Sequence, residues 1–343
     1  MSDPGQRRGL GGPKTSPVPP WVSVIICAYN VEKYLQQAID SVLEQTHRRL
    51  QLVVVDDAST DGTNAIATKA ADDDPRVLVV RRERNGGLAH ARMSGIDAAS
   101  HEIIVFLDGD DMVLPGMVEE QLGVLSRDDS ILGVATYAAY ILDDEAKVMG
   151  TKQIGPITKE DSLRMFRERK LMFLLASTMT RKSDIFAAGG FRLTGFPTDE
   201  GIRYQDYCDD LDLWCRMADQ GAQGRYFITI PRALYLYRKS ASTLSGNTFA
   251  MQAKMRWIKD CMVRRRAGLP ERSFEEHRDA APLLRRLNNL RKDIAAVTFK
   301  RAAFCLLRRQ RVQAAVFAGV TCLLSPKLVL QNLAVQKRNR PVR

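Results

Sequence analysis

The chain has 343 residues, of which 45% are hydrophobic and 27% charged, with a formal net charge of +11. That length supports one full core of about two hundred residues plus a smaller partner, and the composition reads as soluble and globular. Six cysteines at 27, 208, 215, 261, 305 and 322, with no CxxC pair and no charged-then-apolar leader, exclude a disulfide framework and a zinc site and point to reduced thiols in the cytoplasm. The charge is uneven. Residues 251–343 carry 22 Lys and Arg against 6 Asp and Glu, whereas residues 1–250 carry 29 against 34.

Residues 1–20 are Gly, Pro, Ser and basic residues with almost no large apolar side chain, so they form a disordered tail. Folding starts near Trp21. "VSVIICA" is a β-branched, continuous apolar run, as a strand buried on both faces requires. The next stretch, "VEKYLQQAIDSVLEQT", spaces Leu35, Ile39, Val42 and Leu43 helically. Strand signals then recur in "LQLVVVDD", "VLVVRR" and "EIIVFLD", separated by helical "GTNAIATKAADDD" and "GLAHARMSGIDAAS". Strands alternating with helices of this length predict right-handed βαβ units and a mainly parallel sheet flanked by helices, an α/β fold.

Residues 131–245 are less regular and mix short strands, "GVATYAAYIL" and "RALYLYR", with helices. From about 251 to 343 the chain becomes a basic, helical C-terminal extension of a domain spanning 21–250. Its least charged run, 312 to 336, is interrupted by Pro326 and Lys327. The uncharged part is shorter than the roughly 18 to 20 residues that span a bilayer, so no transmembrane helix is expected.

Three strands end in polar residues that emerge at one edge of such a sheet: Tyr29 and Asn30 after the first, Asp56 and Asp57 after the second, Asp108, Asp110 and Asp111 after the fourth. Ligands of open α/β sheets bind at that edge. Taken alone, "VVVDDASTDGT" reads first as helix-capping acids and a turn at Asp61-Gly62. A calcium loop starting at Asp57 fails, because Thr68 stands where a bidentate Glu is required. "LDGDD" suits a solvated turn, or a site in which Asp108 and Asp110 flank a bulkless Gly and approach a hard divalent ion carrying phosphate oxygens. "CDDLDLW" alone reads as a capped helix start.

In their order, "VSVIICAYNVEKYLQQAIDSVLEQT", "LVVVDDASTDGT", "NGGLAHARMSGIDAASHEIIVFLDGDDMVLPGMVE" and "CDDLDLWCRM" resemble the family 2 glycosyltransferases of GT-A fold, over about Trp21 to Ser245. The resemblance implies inverting transfer of a sugar from a nucleotide donor, most simply UDP-linked, to an acceptor hydroxyl of a saccharide, lipid-linked or small-molecule acceptor. It places Cys27 and Tyr29 at the nucleotide base pocket, Asp57 as hydrogen-bond acceptor from uracil, and Arg92 near the nucleotide. Asp108 and Asp110 match the DxD that holds Mg2+ or Mn2+, and Asp210 matches the catalytic base. Two positions depart from the family: Asp209 replaces a Glu, and Ser240 stands where many members carry a His, which makes Arg238 and Lys239 substitutes for that charge.

No Gly-rich phosphate loop follows the first strand, which excludes a sugar nucleotidyltransferase and a dinucleotide dehydrogenase. The competing reading is a degenerate transferase fold serving as a membrane-associated assembly partner, against which the retained Asp57, Asp110 and Asp210 speak. The basic tail is either a helical hairpin with solvated edges or a peripheral membrane contact at the inner face of the cell membrane, with Phe299, Phe304, Leu306 and Leu307 in the interface. No nucleic-acid module signature accompanies it, so nucleic acid is not an expected partner. His47, His90, His101 and His277 read as surface or satisfied residues, and Asp212 as structural.

Overall fold

The computed structural model describes residues 18–142, 148–197, 202–239, 247–307, 310–326 and 328. Its strands are β1 (Val22–Ala28), β2 (Leu50–Asp56), β3 (Val77–Arg81), β4 (Ile103–Asp108), β5 (Met112–Val113), β6 (Ile131–Leu142), β7 (Val148–Lys152), β8 (Met179–Arg181) and β9 (Tyr226–Lys239). The helices are α1 (Leu35–Leu43), α2 (Thr63–Asp73), α3 (Leu88–Ala98), α4 (Met117–Leu125), α5 (Lys159–Arg167), α6 (Lys182–Ala187), α7 (Asp209–Met217), α8 (Thr248–Arg265), α9 (Phe274–Asp279), α10 (Leu283–Leu307) and α11 (Arg311–Leu324).

One sheet runs β3-β2-β1-β4-β8-β6-β9-β5, with β7 added beside β6. Its first half is parallel, as the alternating pattern predicts. Register sets Ala28 opposite Asp56 and Cys27 opposite Asp108, so the acidic ends of β2 and β4 emerge on either side of the end of β1. Every residue of β1 is buried because helices cover both faces. Val24 and Ile26 enter one core with α1 and α2, while Ile25 and Cys27 enter a second core with α3, α7 and α8.

The second half of the sheet departs from the expectation of short strands. β6 and β9 run for 12 and 14 residues, parallel to each other. Pro231 makes "TIPRALY" read as a break, but the ladder passes from Thr136↔Ile230 to Tyr137↔Ala233 and skips Pro231 and Arg232 at a bulge. A bulge is where a strand tolerates a residue without an N–H.

The basic C-terminal region is less separate than its composition suggests. α8 buries Trp257, Ile258, Cys261 and Met262 in the second core, so the fold does not close at residue 250. Beyond it, α10 docks on α8 through a two-armed Arg256–Asp293 pair at 2.7 and 2.8 Å. α10 and α11 form an antiparallel hairpin in which the Thr298 and Thr321 hydroxyls meet at 2.8 Å and Arg301 lies over Phe317. Of the apolar residues expected at a membrane, Phe299 is half-buried; the side chains of Phe304, Leu306 and Leu307 lie outside the described residues, as does Ser240. Among the described residues no helix is long and apolar enough to cross a membrane.

α3 reaches the sheet only because Gly95 carries no side chain: a Cβ there would overlap the Ile25 Cγ2 and crowd Val55 at 3.2 Å. Gly95→Ala gains up to about 1 kcal/mol of helix propensity but loses about 1–3 kcal/mol to overpacking. A net drop in the urea midpoint is expected, and an unchanged or raised midpoint would show that α3 has slack against β1.

Candidate active site

Four sequence segments meet at the carboxyl ends of β1, β2 and β4. The turns are strained where they meet. Of the four non-glycine residues with positive φ among those described, three border this crevice: Asn30 after β1, Ala58 after β2, and Cys208, at +53°, directly before Asp209. Left-handed backbone at such residues costs on the order of 1–2 kcal/mol each and persists only where surrounding contacts enforce it.

Asp108, Gly109 and Asp110 form a turn pressed onto β1. The Gly109 N–H donates to the Cys27 carbonyl at 3.0 Å, and a Cβ at Gly109 would meet that same oxygen at 3.0 Å and Val31 at 3.1 Å. The glycine is therefore needed for close approach to β1. Asp111 faces the other way. It is buried, accepts the Arg238 N–H at 2.7 Å and the Tyr235 hydroxyl at 2.5 Å, and so fastens the turn to β9, where β5 also pairs. Burial first, then Asp110 and Asp108, push its carboxyl well above the usual range, toward the neutral form. Of the acids in "DGDD", Asp111 is buried in the scaffold, whereas Asp108 and Asp110 are half-buried.

Arg92, expected near the nucleotide, is buried. Its side chain, on α3, is 2% exposed and sits between the Phe106 and Phe191 rings, 5.8 and 5.7 Å from their centroids. One guanidinium nitrogen donates to both oxygens of Asp209 at 2.7 Å, and another to Asp108 at 3.1 Å. Desolvation opposes its charge, yet Asp209, Asp108 and Asp210 outweigh that and hold its pKa well above the ordinary value. In return, burial pushes the Asp209 carboxyl up against the pull of Arg92. Asp209 thus anchors α7 beneath the crevice, and Asp210, next in the chain, stands half-buried with its Oδ1 accepting the Leu211 N–H at 2.7 Å.

Asp57 is buried and already bonded: Oδ1 accepts from Arg82 at 2.5 Å and from the Gly86 N–H at 3.0 Å, and Oδ2 from the Gly87 N–H at 2.7 Å. A carboxylate offers about four acceptor sites, which leaves room for one more donor on Oδ2. Cys27 lies in the electrostatic field of Arg92, Asp108, Asp209 and Asp57, and burial pushes its thiol well up, so it is neutral. Tyr29 is exposed at the lip. Asp206 carries no sequence signal: its Oδ1 accepts the Ala89 N–H at 3.1 Å at the start of α3, and it lies in the field of Asp57. Nothing marks it in "YQDYCDD" because its partner is 117 residues away.

The two cations expected in place of the histidine are Arg238 and Lys239. Arg238 is buried under the turn, its Nε donating to the Asp110 carbonyl at 2.7 Å and Nη2 to Gln37 at 2.8 Å, and the side chain of Lys239 lies outside the described residues. Lys152, at the end of β7, lies in the field of Asp210. Sheet register relates it to Ala138 and thence to Tyr235, its ammonium lies 5.7 Å from the Tyr237 ring, and desolvation lowers its pKa while Asp210, Asp111 and Cys208 draw it back up. Lys300, reaching from α10, stands in the field of Cys208 and Lys152. The histidines read as expected at three positions: His47 bonds the Pro20 and Arg49 carbonyls, His101 stacks on Trp21, and His277 meets Asp260. His90 has a buried Nδ1 with no partner among the described residues. Asp212 is structural, gripped by Arg192 and Arg216 at 3.0 Å each.

The glycosyl transferase family 2 model matches residues 23–193, which include the strands that carry this crevice. Glycosyltransferase GlyG of Streptococcus pneumoniae is 34% identical over 245 residues, 70% of this chain and 76% of that protein. The chain belongs to glycosyl transferase family 2. It is a glycosyltransferase of GT-A fold. The putative glycosyltransferase EpsE of Bacillus subtilis is 29% identical over 231 residues, 67% of this chain and 77% of EpsE. The crystal structure of Staphylococcus aureus TarS 1-349 in complex with UDP-GlcNAc superposes with a TM-score of 0.54 at 18% identity, covering 88% of this chain and 90% of that one, which shows the fold.

The charged clamp makes a stability prediction. Arg92→Met strands Asp209 without a partner in a dry site, at a cost of about 3–5 kcal/mol. The double variant Arg92→Met, Asp209→Leu is expected to recover most of that loss in urea unfolding. If Arg92→Met alone unfolds at the wild-type midpoint, the pair does not hold the site together.

Proposed function

We propose that this family 2 transferase moves a hexosyl or N-acetylhexosaminyl group from a UDP-linked donor to an acceptor hydroxyl with inversion at the anomeric carbon. The observation that carries the proposal is the arrangement around Arg92: buried Asp209 and the first acid of the turn share one guanidinium, which ties the start of α7, with half-buried Asp210, to the turn that carries half-buried Asp110.

Asp57 accepts from the uracil through its remaining site, between Cys27 and the exposed Tyr29. Asp108 and Asp110 would hold Mg2+ or Mn2+. Both supply hard carboxylate oxygens, but among the described residues no group of three or more His, Cys, Asp or Glu forms a complete ligand set. Such ions keep places for phosphate oxygens, which suits two acids completed by a donor diphosphate. A bound metal supplies Lewis-acid stabilisation of the leaving diphosphate. Lys152 adds fixed positive charge on the Asp210 side, a role the missing histidine leaves open.

Asp210 takes the proton of the acceptor hydroxyl as that oxygen bonds to the anomeric carbon. The bond from this carbon to the diphosphate oxygen breaks with its electron pair, and the nucleoside diphosphate departs. One displacement of this kind turns an α-linked donor into a β-linked product. The acceptor is a saccharide, lipid-linked or small-molecule hydroxyl in glycan, cell-wall or glycoconjugate synthesis, and we place the enzyme in the cytoplasm, with the inner face of the cell membrane as the surface its basic helices could meet.

Asp210→Asn is expected to lower transfer by about 10²- to 10⁴-fold with donor affinity nearly unchanged. Wild-type turnover in that variant would remove Asp210 as the base. Thermal shift with UDP, GDP, dTDP and CMP, each with and without manganese, tests the donor and the metal together. Stabilisation by UDP that needs both manganese and Asp110 is expected, and a shift that survives Asp110→Ala rejects the metal site. Lys152→Met is expected to weaken UDP binding more than UMP binding, because only the former carries a β-phosphate; equal losses would assign Lys152 to the acceptor side.

A further inference from the structure

The α10–α11 hairpin leaves two apolar stripes uncovered. Leu283, Leu284, Leu287, Leu290 and Ile294 recur at helical spacing along the first half of α10, with Leu283 71% and Leu284 81% exposed. Val312, Val316, Val320 and Leu323 do the same along α11, with Val312 80% and Leu323 85% exposed. Contiguous apolar surface of this kind marks an interaction site. Between 283 and 324 the chain carries nine Lys and Arg against the single acid Asp293, and that acid is buried in its pair with Arg256. The arginines of α10 begin directly beside the stripe, with Arg285, Arg286, Arg291 and Lys292 all exposed.

The charge identifies what covers the stripes. Residues 329–343 carry four further Lys and Arg and no acid, so their charge does not complement that of the hairpin. A second copy would present the same basic face to its partner and is disfavoured for the same reason. An anionic lipid surface satisfies both features at once, taking the leucines and valines into the interface while headgroups meet the guanidinium groups. The hairpin is held at a defined angle to the catalytic core by Arg256 and Asp293. Along α10, Ile294 and Lys300 are six residues apart, roughly 9 Å at the helical rise per residue. Lys300 stands in the field of Lys152 and of Cys208, the residue directly before Asp209.

We propose that the α10–α11 hairpin is a docking surface for an anionic lipid bilayer, and that it sets the crevice close enough to the bilayer for an acceptor carried on a lipid. The acceptor part rests on the transferase function proposed above; the docking part does not, because it is read without nucleotide.

Co-sedimentation with phosphatidylcholine vesicles, with and without phosphatidylglycerol, tests the surface on the full chain. Wild type is expected to pellet with the anionic vesicles, to remain in solution with the neutral ones and to be released by high salt. The triple variant Leu284→Glu, Leu287→Glu, Leu323→Glu is expected to bind at least about 10-fold more weakly, with unchanged thermal stability and unchanged UDP-induced thermal shift. Arg285→Glu with Lys292→Glu is expected to lose the preference for anionic lipid. No pelleting of wild type, or pelleting that the leucine variant leaves intact, overturns the proposal. So does a wild-type dimer in light scattering that the leucine variant turns into monomer, since a second copy would then be the occupant. If vesicles bind as expected while no nucleoside diphosphate does, the surface stands and the transferase site is what fails.

Discussion

The Arg92 guanidinium is the constraint on which the rest of the site depends. It is buried between two aromatic rings and bridges Asp209 on α7 to Asp108 at the end of β4. An arginine in that position has lost its water, so it stays only because two carboxylates replace that hydration, and breaking either contact strands a charge. The same bond that satisfies Arg92 also locates Asp210, since Asp209 and Asp210 open one helix and cannot move separately. Cys208 bends into the left-handed region just before them and packs against the second core.

A second set of contacts holds the acidic turn from the opposite direction. Asp111 gives its hydrogen-bonding capacity to Tyr235 and the Arg238 backbone, and the Arg238 side chain returns to the Asp110 carbonyl. The crevice is thus stretched between the parallel half of the sheet, which supplies Cys27, Asp57 and Asp108, and the long β6–β9 ribbon, which holds the turn from behind. Further out, Asp212, Arg192, Glu271, Arg265 and Asp219 form a continuous chain of ion pairs that joins α7 to α8 and the following loop. Movement of the C-terminal helices would therefore be felt at the helix that bears Asp210.

Much of this was legible in the sequence, for identifiable reasons. The β1 to β4 strands announce themselves because burial on both faces demands unbroken β-branched runs, and period alone distinguishes them from α1 to α3. The acids at their ends follow, because a parallel sheet delivers all its carboxyl ends to one edge. The long β9 strand was obscured by Pro231, which breaks a local pattern yet sits harmlessly in a bulge that only the pairing with β6 creates. Composition likewise cut the chain near residue 250, since the change to arginine-rich sequence is abrupt there, although the apolar face of α8 completes the second core.

What the sequence by itself determined was the parallel half of the sheet, the edge at which its acids gather and the family to which it belongs, all of which rest on local periodicity or on short motifs in a fixed order. The tertiary structure alone decided which acid does what. Asp108, Asp110 and Asp111 are indistinguishable as letters, and their separation into clamp partner, crevice acid and buried anchor comes from residues 16 to 127 positions away. The same holds for Arg92, whose side chain the fold buries against Asp209 and Asp108. It holds for Lys152 and Lys300, whose charge reaches the crevice through strand register and helix docking. Charge is a property of a residue, but whether it is spent on the scaffold or kept for a ligand depends on desolvation and on partners that no local pattern encodes.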